Sequence, residues 1–207
     1  KISQGGLRIT STIVKEHQEQ AVAAAEGMNE VRGWDPTHQH VALSSLDPAT
    51  GEILAEYAGA DYLARQQNAV TQDIAMAGSA FKPFALLANA RLDGSVYDTY
   101  SGKSPQYFPG MSVPVSNDGG YSFGNVTLVR ATEYSMNTAY VALNLDVGPQ
   151  RTLEAAIDAG IPEDTLGLND ELLNVLGSAS PHNIDLATAY STIANGGERV
   201  NAHIVKK

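Results

Sequence analysis

The stretch Gly78-Ser79-Ala80-Phe81-Lys82-Pro83 holds the pattern that decides the fold of this chain. Residues three apart on a helix are neighbours, so Ser79 and Lys82 would share one face of a helix that begins near Ser79. Pro83 indicates such a start, because proline is tolerated only within about the first turn. There, unpaired backbone N–H groups and the positive end of the helix dipole favour negative charge on a reacting oxygen. The stretch therefore predicts a nucleophilic hydroxyl beside a candidate base.

A plainer interpretation of the same residues stays open. Ser79 would be only an N-cap, the usual role of a serine before an apolar run, and Lys82 would be a solvated surface charge. Serine and lysine are common, so their spacing arises readily by chance. A second pattern is needed to favour catalysis.

The second pattern is Ser135-Met136-Asn137, the only Ser-x-Asn in the chain, just as Ser79 and Lys82 form its only Ser-x-x-Lys. Taken locally, Ser135 could simply begin a helix with Asn137 in its first turn. However, Ser-x-x-Lys, then a motif of this second type, then Lys-Thr-Gly is the set shared by penicillin-binding proteins and class A β-lactamases. The two motifs together favour a serine acyltransferase of that kind.

Longer stretches extend the resemblance along nearly the whole chain, and they resemble the transpeptidase domain of class A, bifunctional penicillin-binding proteins. These stretches include both motifs and their surroundings: Gly5–Thr12, Leu46–Ala55, Asn68–Thr71 with Gly78–Phe84, Val126–Ala139, and Ala189–Gly197. The fold implied is α/β (α+β), an antiparallel sheet flanked by helices, as in penicillin-binding proteins and β-lactamases.

The resemblance implies a role for each motif residue. Ser79 is the nucleophile that forms an acyl-enzyme, and Lys82 is its general base, because a desolvated ammonium loses its proton more readily. Ser135 passes a proton to the departing amine, while Asn137 orients the bound peptide and holds Lys82. The chain has no phosphate-binding loop or dinucleotide fingerprint, and we expect neither a cofactor nor a metal ion.

The activity implied is that of a peptidoglycan D,D-transpeptidase. By resemblance, Ser79 attacks a stem peptide ending in two D-alanines, the terminal D-alanine leaves, and the acyl group passes to an amine on a neighbouring stem peptide. β-Lactam antibiotics would acylate the same serine. A β-lactam-hydrolysing enzyme or a D,D-carboxypeptidase of the same fold stays open, as does a non-catalytic cell-wall-binding or sensor module.

One departure from the family pattern is the third motif. No Lys-Thr-Gly or similar triplet occurs in residues 1–207. By resemblance, that strand helps bind the substrate carboxylate and supplies one backbone N–H of the oxyanion hole. We expect it on an omitted C-terminal segment or on a second fragment, whose strands would also complete the sheet.

Composition limits the class of protein and its partners. The chain has 207 residues and 43% hydrophobic content, enough for one core, and we expect a linker over residues 1–14 and one domain over residues 15–207. A net charge of −10 argues against nucleic acid and anionic membranes as partners. Disulfides are excluded because the chain has no cysteine.

The chain also lacks a run of the roughly 20 apolar residues that cross a membrane. Its abrupt start suggests an excised piece, and we expect membrane attachment only through upstream segments that lie outside this sequence. The resemblance implies a location outside the cytoplasmic membrane of a bacterium, on the side of the cell wall.

Coarse patterns predict the remaining elements. Asp47–Gly51 has the residues of a turn and gives the strongest hairpin signal. Residues 101–120 are dense in Gly, Pro, Ser and Asn and predict an ordered loop, for which a substrate-lining role and a plain surface excursion stay equally open. His38 and His40 are expected at the surface, because two ligands are too few for a metal site. The other predicted elements are an extended segment (Leu7–Val14), two strands (Val41–Leu46 and Glu52–Tyr57) and three helices (Lys15–Glu30, Pro149–Gly160 and Ile184–Asn195).

Overall fold

The computed structural model describes residues 5–206. Within that range the helices are α1 (Lys15–Glu26), α2 (Pro83–Ala90), α3 (Leu128–Glu133), α4 (Asn137–Val147), α5 (Pro149–Ala159) and α6 (Asn183–Ala194). The strands are β1 (Thr10–Ser11), β2 (Leu43–Leu46), β3 (Ile53–Tyr57), β4 (Thr99–Ser101), β5 (Asn125–Thr127) and β6 (Val205–Lys206). They form small two-stranded antiparallel sheets that pair β1 with β6, β2 with β3, and β4 with β5. The predicted mixed α/β class is confirmed.

The described residues form two compact units, each of which has most of its contacts within itself. Unit 1 contains the residues up to Ala75, Ala159–Ile161 and the residues from His182 onward. Unit 2 contains Met76–Asp158 and Pro162–Pro181. Both candidate motifs fall within unit 2.

Unit 1 is organised around the β2–β3 hairpin. Leu43 pairs with Tyr57 at its open end. At its closed end, Asp47 Oδ1 accepts hydrogen bonds from the backbone N–H groups of Ala49 at 2.8 Å and Thr50 at 3.2 Å. An aspartate that bonds to the backbone two residues ahead stabilises a turn, which confirms the predicted hairpin.

Helices α1 and α6 pack on this hairpin, so a small antiparallel sheet is flanked by helices, as predicted. Ala21 and Ala25 lie one turn apart on α1 and are buried. Gln18 joins α1 to β3, because its Nε2 donates to the Glu56 carbonyl at 2.8 Å and its Oε1 accepts from the Glu56 N–H at 2.9 Å. The reciprocal pair satisfies the backbone of Glu56 and fixes the helix beside the strand.

The N-terminal segment of unit 1 is held by a buried threonine. Thr12 is 1% exposed and its Oγ1 donates to the Ile53 carbonyl at 2.6 Å. The predicted extended segment Leu7–Val14 forms a strand only at β1, which is the part that pairs with β6.

In unit 2, α4 forms the centre of the core. Tyr140, Val141 and Leu143 are fully buried, although they lie on different sides of the helix. Only Leu145 and Asp146 of α4 are exposed, and a helix buried over most of its surface is typical of a protein interior. Helix α2 and strand β4 pack against α4, and the fully buried Phe81 and Phe84 anchor the start of α2 in this core.

The other predicted helices are present with small changes at their ends. Helix α5 begins at Pro149, and Gly160 follows its last residue with φ +136°, a conformation that ends the helix. Helix α6 begins one residue earlier than predicted, at Asn183. The stretch predicted as a helix over Lys15–Glu30 is α-helical to Glu26 and continues as the 3-10 turn Gly27–Glu30.

Candidate active site

Ser79 lies in a 3-10 turn, Gly78–Phe81, immediately before α2. Pro83 is the first residue of α2, where a missing N–H removes no helical hydrogen bond, so the predicted helix start is confirmed. Ala77 occupies the N-cap of the turn and Lys82 that of α2. The plain interpretation of Ser79 as an N-cap is therefore wrong.

The serine turn is fastened to the segment that follows the 3-10 turn Asn174–Leu176. The Gly78 N–H donates to the Gly177 carbonyl at 3.1 Å, and the Ala77 N–H donates to the Ala179 carbonyl at 2.8 Å. Gly177 has φ +81°, and a Cβ built on it would collide with the Gly78 backbone. A glycine is needed at this position because both the conformation and the close approach exclude a side chain.

The backbone N–H of Ser79 makes no hydrogen bond within the described residues 5–206. Its neighbours differ, since the Ala80 N–H donates to the Ala77 carbonyl at 3.1 Å and the Lys82 N–H to the Ser79 carbonyl at 3.3 Å. The Ser79 N–H is thus available to a negatively charged oxygen beside the serine.

The Lys82 ammonium connects the two motifs. Its Nζ lies 3.0 Å from Ser79 Oγ, 3.0 Å from Ser135 Oγ, 2.7 Å from the Ser135 carbonyl oxygen and 2.8 Å from Asn137 Oδ1. The side chain is 3% exposed, so the interpretation of Lys82 as a solvated surface charge is wrong. All four residues singled out from the sequence meet at one nitrogen atom.

The four groups that contact Lys82 Nζ differ in whether they can donate a hydrogen bond to it. The Ser135 carbonyl and Asn137 Oδ1 can only accept hydrogen bonds, whereas the two hydroxyls can donate or accept. A neutral lysine has two N–H bonds, which suffice for the two obligate acceptors. Its lone pair is then left for a hydroxyl proton, and Ser79 Oγ is one of the two hydroxyls within reach.

Burial also lowers the pKa of Lys82, from its ordinary 10.5 to about 8. The cause is desolvation, which disfavours the charged form of a buried amine. The nitrogen also lies 5.5 Å from the centre of the Tyr140 ring, whose face weakly favours a cation. The desolvation effect is larger, so a neutral amine becomes accessible near physiological pH.

Ser135 reaches Lys82 through an unusual backbone conformation. Its φ is +50°, in the left-handed region that residues with a Cβ seldom adopt. The next residue, Met136, is the N-cap of α4 and is 1% exposed. Ser135 therefore does not begin the helix; it lies in the turn before α4, with both its carbonyl and its hydroxyl directed at Lys82.

Asn137, the first residue of α4, joins the site to the predicted loop. Its Oδ1 accepts from Lys82, and its Nδ2 donates to the Ser116 carbonyl at 2.9 Å. The loop of residues 101–120 therefore contacts a candidate site residue. It is ordered by a short β-bridge between Gln106 and Val115 and by the 3-10 turn Asp118–Gly120.

Sequence reasoning missed the residues that support this cluster. Ser116 contributes a backbone carbonyl, and Tyr140 lies inside a core helix. Gly177 acts through its lack of a side chain. None belongs to a motif, and only the glycine at the end of an apolar segment offered a signal.

The two histidines of the His-x-His pair each lie beside an aspartate. His38 lies on the surface, 2.8 Å from Asp35 Oδ2, and His40 lies 3.6 Å from Asp73 Oδ2. Among residues 5–206 no group of three or more His, Asp or Glu could hold a metal ion. No helix in that range has the length and apolar character needed to cross a membrane.

A family model described as the penicillin-binding protein transpeptidase domain matches residues 42–207. Among curated proteins, penicillin-binding protein 1A of Mycolicibacterium smegmatis is 36% identical over 98% of this chain and 26% of its own length. Penicillin-binding protein 1A of Neisseria lactamica is 31% identical over 80% of this chain and 21% of its own length. The chain thus spans about a quarter of the length of the curated relatives it matches.

Among solved structures, the PonA1 protein of Mycobacterium tuberculosis in complex with penicillin V superposes with a TM-score of 0.86 at 30% identity. The superposition covers all of this chain and 56% of that one.

Proposed function

The chain belongs to the penicillin-binding protein transpeptidase domain family, and from this membership we propose that it is the acylating part of a peptidoglycan D,D-transpeptidase with Ser79 as its nucleophile. The resemblance recognised from the motifs and the predicted transpeptidase fold are both confirmed. The activity, the residue roles and the location are the parts that we propose.

The observation that carries the proposal is the position of Lys82 Nζ, 3.0 Å from Ser79 Oγ and 3.0 Å from Ser135 Oγ. A nucleophilic oxygen needs a base whose heavy atom lies within about 3.2 Å of it, and that base needs a pKa close to the working pH. Lys82 meets both requirements, because burial brings its pKa to about 8.

Acylation follows from this geometry. Lys82 takes the Ser79 hydroxyl proton as Ser79 Oγ forms a bond to the carbonyl carbon of the penultimate D-alanine. The negative oxygen of the tetrahedral intermediate is stabilised by the free N–H of Ser79 and by a second donor. When the C–N bond breaks, the departing D-alanine amine takes its proton from Ser135 Oγ, which recovers one from Lys82. An ester on Ser79 remains.

The second half-reaction reverses the proton path. An amine on a neighbouring stem peptide attacks the ester, its proton passes through Ser135 and Lys82, and Ser79 leaves with a proton. Asn137 orients the peptide with the N–H of its amide that the Ser116 carbonyl does not occupy. The products are a crosslinked peptide and free enzyme.

The proposal requires a third motif, which residues 1–207 do not contain. We therefore include in it a strand of the Lys-Thr-Gly type, from further chain or from a second fragment, that binds the substrate carboxylate and provides the second oxyanion donor. The proposed strand is supported by the greater length of the related proteins, of which this chain covers 26% in one case and 56% in another.

Location and inhibition follow from the same premise. Stem peptides lie outside the cytoplasmic membrane, so the domain would face the bacterial cell wall, held there by membrane segments outside this sequence. A β-lactam would acylate Ser79 in place of the peptide, and the related PonA1 structure contains penicillin V.

The test is mass spectrometry of the intact full-length protein, with all associated fragments retained, after exposure to penicillin. We expect a persistent adduct that peptide mapping places on Ser79 and that Ser79→Ala abolishes. A rapidly lost adduct would indicate a β-lactam-hydrolysing enzyme. No adduct on material that contains the third motif would overturn the catalytic proposal and leave a binding or sensor module.

A further inference from the structure

We propose that Asn117 is a positioning residue, which fixes the Ser116 carbonyl so that the Asn137 amide keeps its oxygen on Lys82 and its NH2 group away from it. The inference deepens the proposed function and rests on it. Neither motif contains Asn117 or Ser116, and both lie in the loop for which the sequence left the role open.

Asn117 is anchored on all sides. It is 6% exposed. Its Nδ2 donates to the carbonyls of Gly102 at 3.1 Å and Tyr121 at 3.0 Å. Its Oδ1 accepts from the backbone N–H of Thr138 at 3.1 Å and from the hydroxyl of the same residue at 3.2 Å. The side chain thereby uses both of its donors and both of its acceptor positions.

These bonds connect two consecutive loop residues, Ser116 and Asn117, to the first two residues of α4. Asn117 bonds to Thr138, and the adjacent Ser116 carbonyl accepts from Asn137 Nδ2 at 2.9 Å. Asn117 also joins the beginning of the loop to its end. The Asn117 side chain therefore holds the Ser116 carbonyl from its C-terminal side. The bridge between Val115 and Gln106 precedes that carbonyl, and the N–H of the same peptide unit, on Asn117, donates to Ser104 Oγ at 2.9 Å.

The Ser116 carbonyl matters most when Lys82 is neutral. An ammonium offers only N–H bonds, so it repels the NH2 end of an asparagine and keeps Asn137 Oδ1 in place. A neutral amine has a lone pair, and a reversed Asn137 could donate Nδ2–H to it and occupy the base. Reversal would also bring Oδ1 against the Ser116 carbonyl, and two acceptors repel. The carbonyl thus prevents the blocked arrangement.

The groups that face the Lys82 nitrogen are few. They are the hydroxyls of Ser79 and Ser135, the Ser135 carbonyl, the Asn137 amide and the ring of Tyr140. Lys82 is the one group among these contacts that carries a formal positive charge, and the Tyr140 hydroxyl lies 2.6 Å from Thr132 Oγ1. The pH dependence of acylation around pH 8 therefore reports on Lys82.

The experiment compares penicillin acylation rates of the full-length protein and of Asn117→Ala across pH. Well below pH 8 the lysine is protonated and holds the amide, so the two proteins should react at nearly the same rate. Above pH 8 the reversed amide blocks the base, and the variant should reach a plateau about tenfold lower, as expected for one lost hydrogen bond. The midpoint of its profile should also move to lower pH.

Asn144→Ala is the matched control. Asn144 is fully buried in the same unit, donates to the Leu172 carbonyl at 2.8 Å and to Asn174 Oδ1 at 2.9 Å, and accepts from Thr152 Oγ1 at 2.6 Å. Both variants should lower Tm, but the control should keep the wild-type pH profile. A loss that is equal at all pH values in Asn117→Ala would overturn the proposal.

Two further measurements keep the test decisive. If Asn117→Ala fails to fold, Asn117→Asp retains the shape and the acceptors while losing both donated bonds.

NMR of the Asn137 side-chain amide needs no catalysis, so it distinguishes failure of this inference from failure of the proposed function. We expect slow hydrogen exchange of that NH2 group in the wild type and Asn144→Ala, and fast exchange in the Asn117 variants. An unchanged Asn137 resonance in those variants would contradict the inference.

Discussion

At Lys82, burial converts an ordinary cation into a usable base. With a pKa of about 8, roughly one lysine in ten is neutral at pH 7, whereas an ordinary lysine is neutral in fewer than about one molecule in a thousand. Two obligate acceptors, the Ser135 carbonyl and Asn137 Oδ1, hold the N–H bonds in either protonation state. The fraction of neutral Lys82 therefore increases while its nitrogen stays in the same position.

The first prediction concerns pH. Acylation of Ser79 by penicillin should rise with pH, about tenfold per unit below pH 8, and level off above it, because only neutral Lys82 accepts the proton. Acylation rates measured across this range, corrected for spontaneous hydrolysis of the antibiotic, provide the test. A rate that is flat or falls with rising pH would exclude Lys82 as the base.

The second prediction concerns the strained turn at Ser135. With φ at +50°, Ser135→Gly should be about 0.5–1 kcal/mol more stable than Ser135→Ala, because glycine adopts this conformation without strain. Both variants lack the hydroxyl that we propose passes the proton, so both should acylate about 10²-fold more slowly than the wild type. Chemical denaturation and acylation kinetics measure the two effects.

Asp93 offers the control for this pair. It has φ +59° in the same unit and belongs to neither motif. Asp93→Gly should likewise be more stable than Asp93→Ala, while both keep wild-type acylation. If the Ser135 variants behaved in the same way, Ser135 would have no part in proton transfer.

The four motif residues could be predicted because their chemistry is carried by side chains at short, recognisable spacings. Ser79 and Lys82 are three apart, and Ser135 and Asn137 are two apart. Ser116 could not be predicted, because it acts through a backbone carbonyl whose position depends on long-range hydrogen bonds.

At the scale of elements, the serine depends on a turn that is supported from outside. The 3-10 turn Gly78–Phe81 has few hydrogen bonds of its own, and the segment after Asn174–Leu176 supplies the Gly177 carbonyl that holds the Gly78 N–H. The backbones of Gly78 and Gly177 are in such close contact that no side chain fits between them.

The third prediction tests that support. Gly177→Ala should abolish or strongly reduce acylation and lower stability by more than about 2 kcal/mol, because the new methyl group strikes the Gly78 backbone and adds to the strain of φ +81°. Tm and penicillin acylation of the full-length variant measure the effect.

Gly110→Ala is its matched control. Gly110 has φ +79° in the same unit, but a Cβ there would meet no atom within 4 Å. It should therefore show the cost of the conformation alone, about 1 kcal/mol, and retain acylation. Equal effects of the two substitutions would contradict the role of the Gly78–Gly177 contact.

Elements with strong local signals were predicted well, and those fixed by tertiary contacts were not. The turn residues of Asp47–Gly51 gave the hairpin, and Pro83 and Pro149 marked two helix starts. The pattern over Leu7–Val14 predicts an extended segment without saying which part of it pairs, and a strand forms only where β6 provides a partner. The 3-10 form of the serine turn has no local signal that distinguishes it from the first turn of an α-helix.

At the scale of the whole molecule, the sequence predicted the family and the mixed α/β class but not how the described residues group. Helix α6 packs against β2, which comes much earlier in the sequence, and Ser44 Oγ of β2 donates to Asn183 Oδ1 of α6 at 2.7 Å. Such pairings join residues more than a hundred positions apart, and no local pattern reports them. The predicted domain boundaries, with a linker over residues 1–14, remain a prediction.

Part of the proposed reaction depends on chain outside residues 1–207. In the proposed reaction, the nucleophile, the base, the proton path and a peptide contact are assigned to Ser79, Lys82, Ser135 and Asn137. The substrate carboxylate and the second oxyanion donor depend on a third motif. Losing one such donor typically lowers catalysis by about 10²–10³-fold, so activity must be measured on the full-length protein.

The most direct test supplies the full-length protein with a stem peptide ending in two D-alanines, together with a second stem peptide that carries a free amine, and identifies the products by mass spectrometry. We expect release of D-alanine and formation of a crosslinked peptide, both lost in Ser79→Ala and in Lys82→Met. Release of D-alanine with only the shortened, hydrolysed peptide would contradict acyl transfer to an amine and indicate a carboxypeptidase, and the absence of any D-alanine release would contradict catalysis by Ser79.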